Sequence, residues 1–236
     1  MSPLMSKVHF VGGEKGGVGK SVVARLLCQY CIDKKLPFAA IDADGSHGTL
    51  SRHYADYSRP VDLARFESAD QILTAAGEAD HRVIVDLPAQ SQRPLFAWMA
   101  ATGAVALAAE NGVRMAFWHV IDDGKDSLIT LDRLFAQLGR SVQYCVVKNA
   151  GRGGKDFSLF EESETRARAR ELGATIIELP ELHAAAMQKI DRLDSSFWAA
   201  VNNRDYGADT FTRMDRQRVN VWLSACYAQL DAPDLL

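Results

Sequence analysis

The stretch that most constrains this chain is residues 12–22, which read Gly-Gly-Glu-Lys-Gly-Gly-Val-Gly-Lys-Ser-Val. A short apolar run, Val8-His9-Phe10-Val11, precedes it, and residues 22–30 follow with apolar positions at helical spacing. Strand, glycine-rich loop and helix, in that order, form the setting in which a backbone can wrap an anion. Glycines let the chain curl so that several N–H groups face one phosphate, and the helix start adds the positive end of its dipole. Lys20 has the reach for β- and γ-phosphates, and the Ser21 hydroxyl is placed to join the coordination of Mg²⁺.

The match to Gly-x-x-x-x-Gly-Lys-[Ser/Thr] is incomplete, because counting back from Gly19-Lys20 puts Glu14 where the first glycine belongs. What stands there is Lys15-Gly16-Gly17-Val18-Gly19-Lys20-Ser21, with a second lysine ahead of the glycine pair. This resembles the deviant Walker A loop of the ParA/MinD family of ATPases. The resemblance covers most of the chain, from Lys7 to about Pro180. It implies that Gly16, Gly17, Val18, Gly19, Lys20, Ser21 and Val22 hold the phosphates of ATP. It also implies that Lys15 reaches across a two-fold interface to the ATP of a second subunit, so that ATP binding makes a homodimer.

Composition sets wide bounds. The 236 residues suffice for one large α/β domain with a proper core. No apolar run has the length of a membrane helix, and residues 1–6 are too short and polar for a signal peptide, so a cytoplasmic location is expected. The formal net charge of −3 leaves no global basic field for nucleic acid. A local patch, Arg213-Met214-Asp215-Arg216-Gln217-Arg218, could contact DNA through Arg213, Arg216 and Arg218, with Asp209 and Asp215 interspersed; it reads equally well as a solvated helix face. Cys28-Gln29-Tyr30-Cys31 lacks the second pair or the histidines that would complete a metal site, so its cysteines read as small packing residues.

Along the chain, apolar runs at residues 38–41, 82–85, 104–109, 115–121, 142–147 and 175–179 read as strands, alternating with helical segments. Residues 61–66 read as extended, with a helix from Ala69; residues 127–138, 161–172, 184–193 and 211–230 read as helices. The pattern predicts a single domain over 1–236, a doubly wound α/β fold with a mainly parallel sheet. Nucleotide elements fall at residues 12–22, 42–48, 86–90 and 148–150. Asp42 and Asp44 point the same way if the second strand persists that far. The run Asp122-Asp123-Gly124-Lys125-Asp126 reads as a solvated loop capping the next helix, and His119 as a packed core histidine. Gly151-Arg152-Gly153-Gly154-Lys155 reads as a mobile basic loop.

By resemblance, Asp44 positions the attacking water, Asp86 holds Mg²⁺ through a water, Asn149 reads the adenine edge, and Pro180 opens the second adenine loop. Two departures stand in the switch regions: Gly45-Ser46-His47-Gly48 follows Asp44, and Gln90-Ser91-Gln92 follows Pro88-Ala89. The function implied is an ATP-dependent dimerising switch with slow hydrolysis and a protein activator, serving plasmid partition, maintenance or conjugative transfer. The alternatives are a MinD-like positioning ATPase, or an ATP-dependent synthetase of the dethiobiotin or cobyrinic acid group. Without lysine or arginine beyond Arg218, the last helix is expected to dock on the domain, leaving no membrane anchor.

Overall fold

The computed structural model describes residues 6–45, 47–78, 81–151, 154–204, 210–231 and 235–236. Ser46, Arg152, Gly153 and Asp209, which belong to the expected switch loop, basic loop and arginine patch, lie outside the described residues. The elements run β1 (Lys7–Gly12), α1 (Lys20–Asp33), β2 (Phe38–Asp42), α2 (Thr49–His53), β3 (Ser58–Pro60), α3 (Phe66–Ala69), α4 (Gln71–Glu78) and β4 (Arg82–Asp86). They continue with α5 (Gln92–Thr102), α6 (Ala104–Glu110), β5 (Arg114–Ile121), α7 (Lys125–Leu138), β6 (Gln143–Asn149), α8 (Ser158–Glu161) and α9 (Glu164–Glu171). The chain closes with β7 (Thr175–Leu179), α10 (Ala184–Arg192), α11 (Phe197–Asn202) and α12 (Arg213–Leu230).

The seven strands form one sheet in the order β3-β2-β4-β1-β5-β6-β7, and every pairing is parallel. A parallel sheet needs cover on both faces, and strand alternation supplies two apolar surfaces. Val8, Phe10, Val83 and Val85 face one cluster, built with Ile72, Trp98, Leu131 and Phe135 of the helices. Val11, Ile84 and Trp118 face the other, built with Leu26, Leu27, Leu50, Ile190, Phe197 and Trp222. Because β1 lies between β4 and β5, the loop that follows it opens at the centre of the sheet's carboxyl edge, where open α/β sheets bind ligands.

Several expectations need correction. Residues 104–109 are not a strand but α6, because the segment is alanine-rich and Gly103, in the left-handed region at φ 62, ends α5 and starts a new helix. The extended stretch lies at β3, ahead of residues 61–66, although Val61 and Leu63 are buried. The acid–arginine helix is broken into α8 and α9 by Ser163, whose side chain caps α9, and Arg166 pairs with Glu161 at 3.3 Å. The segment α11 was not anticipated from the sequence.

The last helix docks as expected. Val219, Trp222, Leu223, Cys226 and Leu230 of α12 are buried, and the Trp222 indole donates to the Pro180 carbonyl at 2.7 Å. Burying each of these large apolar side chains contributes about 1.5–3 kcal/mol to holding α12 on the domain. Among the described residues, no helix is long and apolar enough to cross a membrane.

Candidate functional site

The floor of the site is the turn from β1 into α1. Gly13 has φ 148, and a Cβ there would meet the Val120 carbonyl at 2.9 Å, so only glycine lets β1 and β5 approach so closely. Gly19, at φ 101, starts α1, and no side chain caps its first turn. The first N–H groups of the helix are therefore left for an external acceptor. Nothing lies within 4 Å of the Cβ positions of Gly16 and Gly17, so the cradle is open above them. Lys20 folds back across the loop, its Nζ donating to the Lys15 carbonyl at 2.9 Å. Burial lowers its pKa, opposed by the carboxylates of Asp86, Asp44 and Glu14.

Asp86 ends β4, in register with Val11 of β1 and Asp42 of β2. It is fully buried, and neither carboxylate oxygen has a hydrogen-bond partner among the described residues. Burial pushes its pKa up to about 7, while the nearby Ser21 hydroxyl and the Lys20 charge pull it down. A buried carboxylate without donors, beside a hydroxyl and a lysine and under an uncapped helix start, suits a hydrated Mg²⁺. The residues present therefore fit that ion. No group of three or more His, Cys, Asp or Glu that could hold a metal occurs among the described residues, so phosphate and water would supply the remaining ligands.

The rim is built differently. Lys15 does not point away from its own chain: its Nζ lies 2.5 Å from Asp122 Oδ2 at the end of β5. Asp122 is not a solvated loop residue. Burial would raise its pKa, but hydrogen bonds from Lys15, Ser127 Oγ and the Gly124 N–H overcome this and hold it below the usual carboxylate value. The carboxylate reaches the Gly124 and Ser127 donors because α7 begins at Lys125, three residues beyond it. Glu14, at the missing first glycine, accepts from the Gln92 N–H at 2.9 Å, and its carbonyl accepts from the Gln90 N–H at 3.3 Å. Glu14, in place of the first glycine, and the Gln90-Ser91-Gln92 segment are thus complementary: a carboxylate from the phosphate loop caps α5.

Asp42 and Asp44 do not share a direction, because β2 ends at Asp42. The Asp42 carboxylate turns back to the Asp44 N–H (3.1 Å) and the Ser51 N–H (2.8 Å), while Asp44 faces His47 Nδ1 at 3.3 Å. Asn149 is buried, with Nδ2 donating to the Val18 carbonyl at 2.7 Å and Oδ1 accepting from the Gly151 N–H at 3.0 Å. Its amide ties β6 to the phosphate loop.

Gly16, Gly17, Gly19, Lys20, Ser21, Val22, Asp44 and Pro88 line one cleft of about 550 Å³. Asn149 and Pro180 line a second, of about 250 Å³, that shares Val22 with the first. The Val18 side chain is buried in the core, so only its backbone belongs to the site. Sequence reasoning missed Arg25 and Asp191, which also line the large cleft, and Asp122. For Asp122 the signal was present: it directly follows the parallel strand β5, much as Asp42 and Asp86 end β2 and β4.

The arginine patch is partly committed to the fold. Arg216 donates to the Phe211 carbonyl at 2.7 Å, and Arg218 lies 3.5 Å from Asp215, which also holds Lys189 at 2.9 Å and completes the Thr212 capping box. Cys28, Cys31, Cys145 and Cys226 are free thiols buried in one core cluster, which fits a packing role. Burial pushes the His119 pKa down to about 4, leaving a neutral core residue as expected.

No family model matches the chain. Protein TraL of Escherichia coli is 26% identical over 245 residues, covering 98% of this chain and 100% of TraL. Protein MobD of Acidithiobacillus ferrooxidans is 24% identical over 184 residues, covering 76% of this chain and 79% of MobD. The MinD cell division protein of Aquifex aeolicus matches with a TM-score of 0.53 at 15% identity, over 94% of this chain and 97% of that one. A nucleotide-binding protein of Archaeoglobus fulgidus, solved in complex with ADP, matches with a TM-score of 0.51 at 15% identity, over 79% and 87% of the two chains. In its all-parallel, helix-flanked sheet the chain shares the fold of MinD and of that nucleotide-binding protein.

Proposed function

We propose that this chain is an ATP-dependent switch that binds Mg²⁺–ATP, dimerises around it and is reset by slow hydrolysis. The observation that carries this reading is Asp86, buried with both oxygens unpartnered beneath the uncapped start of α1 and beside Lys20 and Ser21. Bound Mg²⁺–ATP supplies the phosphoryl group and the charge that the floor is built to meet. The backbone N–H groups of residues 16–22 cradle the phosphates, and Lys20 neutralises the β- and γ-phosphates. Ser21, and Asp86 through water, hold the metal; Asp44 orients the attacking water; Asn149 and Pro180 border the base. The partner subunit's Lys15 completes the phosphate site. On this reading residues 1–236 act as one cytoplasmic ATPase unit, and the docked α12 provides no membrane anchor.

Among possible cargoes, similarity to TraL and MobD favours plasmid transfer over septum placement. Contact with DNA through Arg213, Arg216 and Arg218 would draw on Arg216 and Arg218, which partly serve the fold; a protein activator is the other partner proposed. Calorimetric titration of ATP with Mg²⁺ tests the core of the reading: Lys20→Ala should weaken binding at least a hundredfold, and unchanged affinity would sink it. Turnover with and without duplex DNA at two salt concentrations tests the cargo. Stimulation that fades with salt would restore the DNA contact, and no response assigns activation to protein.

A further inference from the structure

The two clefts meet at a seam. They share Val22, in the first turn of α1, and Asp191, in the last turn of α10. A nucleotide with its phosphates in the larger cleft and its base in the smaller must carry its sugar across that seam. Asp191 places a carboxylate there, with a side chain 41% exposed.

One oxygen of that carboxylate is fixed from behind. Asp191 Oδ1 accepts from Arg25 Nη1 at 2.9 Å, and the Arg25 side chain is only 3% exposed. Arg25 is itself held by three contacts: its Nε donates to the Ser21 carbonyl at 3.3 Å, its Nη2 lies 4.0 Å from Met187 Sδ, and its guanidinium lies 5.4 Å from the centre of the Phe197 ring. His53 Nε2 approaches the same Asp191 oxygen at 3.9 Å, and burial lowers the His53 pKa, so Arg25 is the permanent cation of this cluster. Asp191 Oδ2 accepts no hydrogen bond among the described residues. The result is a carboxylate held by Arg25 through Oδ1, on a residue that lines both clefts, with Oδ2 left as a second acceptor.

We propose that Asp191 reads the sugar: its second oxygen accepts a hydrogen bond from a ribose hydroxyl and makes the site selective for ribonucleotides over deoxyribonucleotides. This rests on the nucleotide-binding reading and adds a specificity-determining residue to it. A carboxylate accepting from ribose is a general solution in nucleotide-binding α/β folds, and a charged acceptor strengthens the bond. Glu181 is the other carboxylate on the smaller cleft, but it is paired with Lys155 at 2.9 Å and does not line the larger cleft.

The test is calorimetric titration of the full chain, with Mg²⁺, against ATP, 2′-deoxy-ATP and 3′-deoxy-ATP. Wild type should bind ATP roughly tenfold or more tightly than at least one deoxy analogue, the range expected for a hydrogen bond to a charged group. Asp191→Asn keeps an oxygen on Arg25 and replaces the charged acceptor at Oδ2 by an NH₂ group that can meet the hydroxyl only as a neutral donor; the ratio should fall severalfold, on the order of the difference between a charged and a neutral hydrogen bond. Glu181→Gln should keep the wild-type ratio. Equal affinity of wild type for all three nucleotides overturns the proposal while leaving the nucleotide-binding reading intact. A ratio that survives Asp191→Asn, or vanishes in Glu181→Gln, overturns it as well. Failure of wild type to bind ATP at all removes both. Thermal melting is run alongside; should Asp191→Asn not fold, the wild-type and Glu181→Gln ratios decide by the same criteria.

Discussion

The floor and the rim of the nucleotide cleft are built on opposite terms. On the floor, the first turn of α1 has no side-chain cap, and Asp86 has two buried oxygens without a donor. On the rim, Lys15 is paired with Asp122, Glu14 with the start of α5, Asp44 with His47, and Asn149 with the Val18 carbonyl. A buried polar group left unpaired costs about 1–3 kcal/mol, more if charged, so the floor is destabilised until something binds it. The rim carries no such debt, and its contacts are of the kind that exchange. On the function proposed above, the floor is organised in advance for an anion and a metal, while the rim rests in a self-satisfied arrangement that a nucleotide or a second subunit would have to rearrange.

The largest effect should come from the rim residue that has furthest to travel. If Lys15 leaves Asp122 to serve the partner subunit's ATP, Lys15→Ala should bind ATP as wild type does yet lose turnover by roughly 10³-fold or more, the scale of cations supplied in trans. Light scattering with ATP should then report a monomer. A Lys15→Ala protein that dimerised and turned over normally would make the Asp122 pair the whole role of Lys15.

Asp86 should respond next, and with pH. Its folded-state pKa is raised to about 7 from an ordinary 3.8, so between those values the nucleotide-free fold binds the proton that an unfolded chain releases. The contribution to stability is therefore complete below the unfolded value and is lost as pH rises through about 7. Melting temperatures without nucleotide should fall across this range, and Asp86→Asn should flatten the slope. Mg²⁺–ATP must expel the proton, so its affinity should rise with pH over the same window. In Asp86→Asn, Mg²⁺ should no longer improve ATP binding, a loss of roughly tenfold on the scale of one charge-assisted contact. An unchanged pH profile would mean that Asp86 is not the protonated group.

What could be read from the sequence follows the same division. The floor was legible because its chemistry is local: glycine spacing, a lysine and a serine in consecutive positions, and strands that end in aspartate. The sheet was legible for a related reason, since a strand buried on both faces reads as a continuous apolar run. Residues 104–109 show the limit of that signal, because an apolar run of alanine and leucine forms a helix when a glycine in the left-handed region precedes it. The rim was not legible. Lys15 and Asp122 are 107 positions apart, Arg25 and Asp191 are 166 apart, and no periodicity or spacing encodes such pairs. Glu14 and Gln92 each registered as a departure from the family pattern, but only the fold shows that one answers the other.

A smaller effect is expected at Asp122. Asp122→Asn keeps acceptors for Ser127 and Gly124 but removes the charge that holds Lys15, whose side chain is 42% exposed. Only the Asp122 end of this pair is buried, and with the lysine end open to solvent the pair is worth on the order of 1 kcal/mol. Lys15 should therefore be released at little cost to the fold, and the ATP concentration giving half-maximal dimer should fall by about two- to fivefold, no more than the pair is worth. A rise in that concentration would show that Asp122 helps the dimer instead of restraining it.

The smallest effect tests whether the rim contact at Glu14 is more than a consequence of proximity. Its carboxylate meets the Gln92 N–H at the start of α5, where Ser91 occupies the cap position without making a side-chain cap. A helix with its first donors unmet gains about 0.5–2 kcal/mol from an oxygen at that end, and negative charge there gains a further 0.3–1 kcal/mol from the helix dipole. Glu14→Ala loses both contributions, whereas Glu14→Gln keeps the acceptor and loses only the charge. For a chain of this size about 1 kcal/mol moves the melting temperature by roughly 2–4 °C. Glu14→Ala should therefore melt about 2–12 °C below wild type and Glu14→Gln by half of that or less, both without nucleotide. Glycine at this position should behave like alanine, or worse, because it also frees the backbone of the loop. If all three variants melt with wild type, the bond to α5 is incidental, and the departure at position 14 has no structural partner in the switch loop.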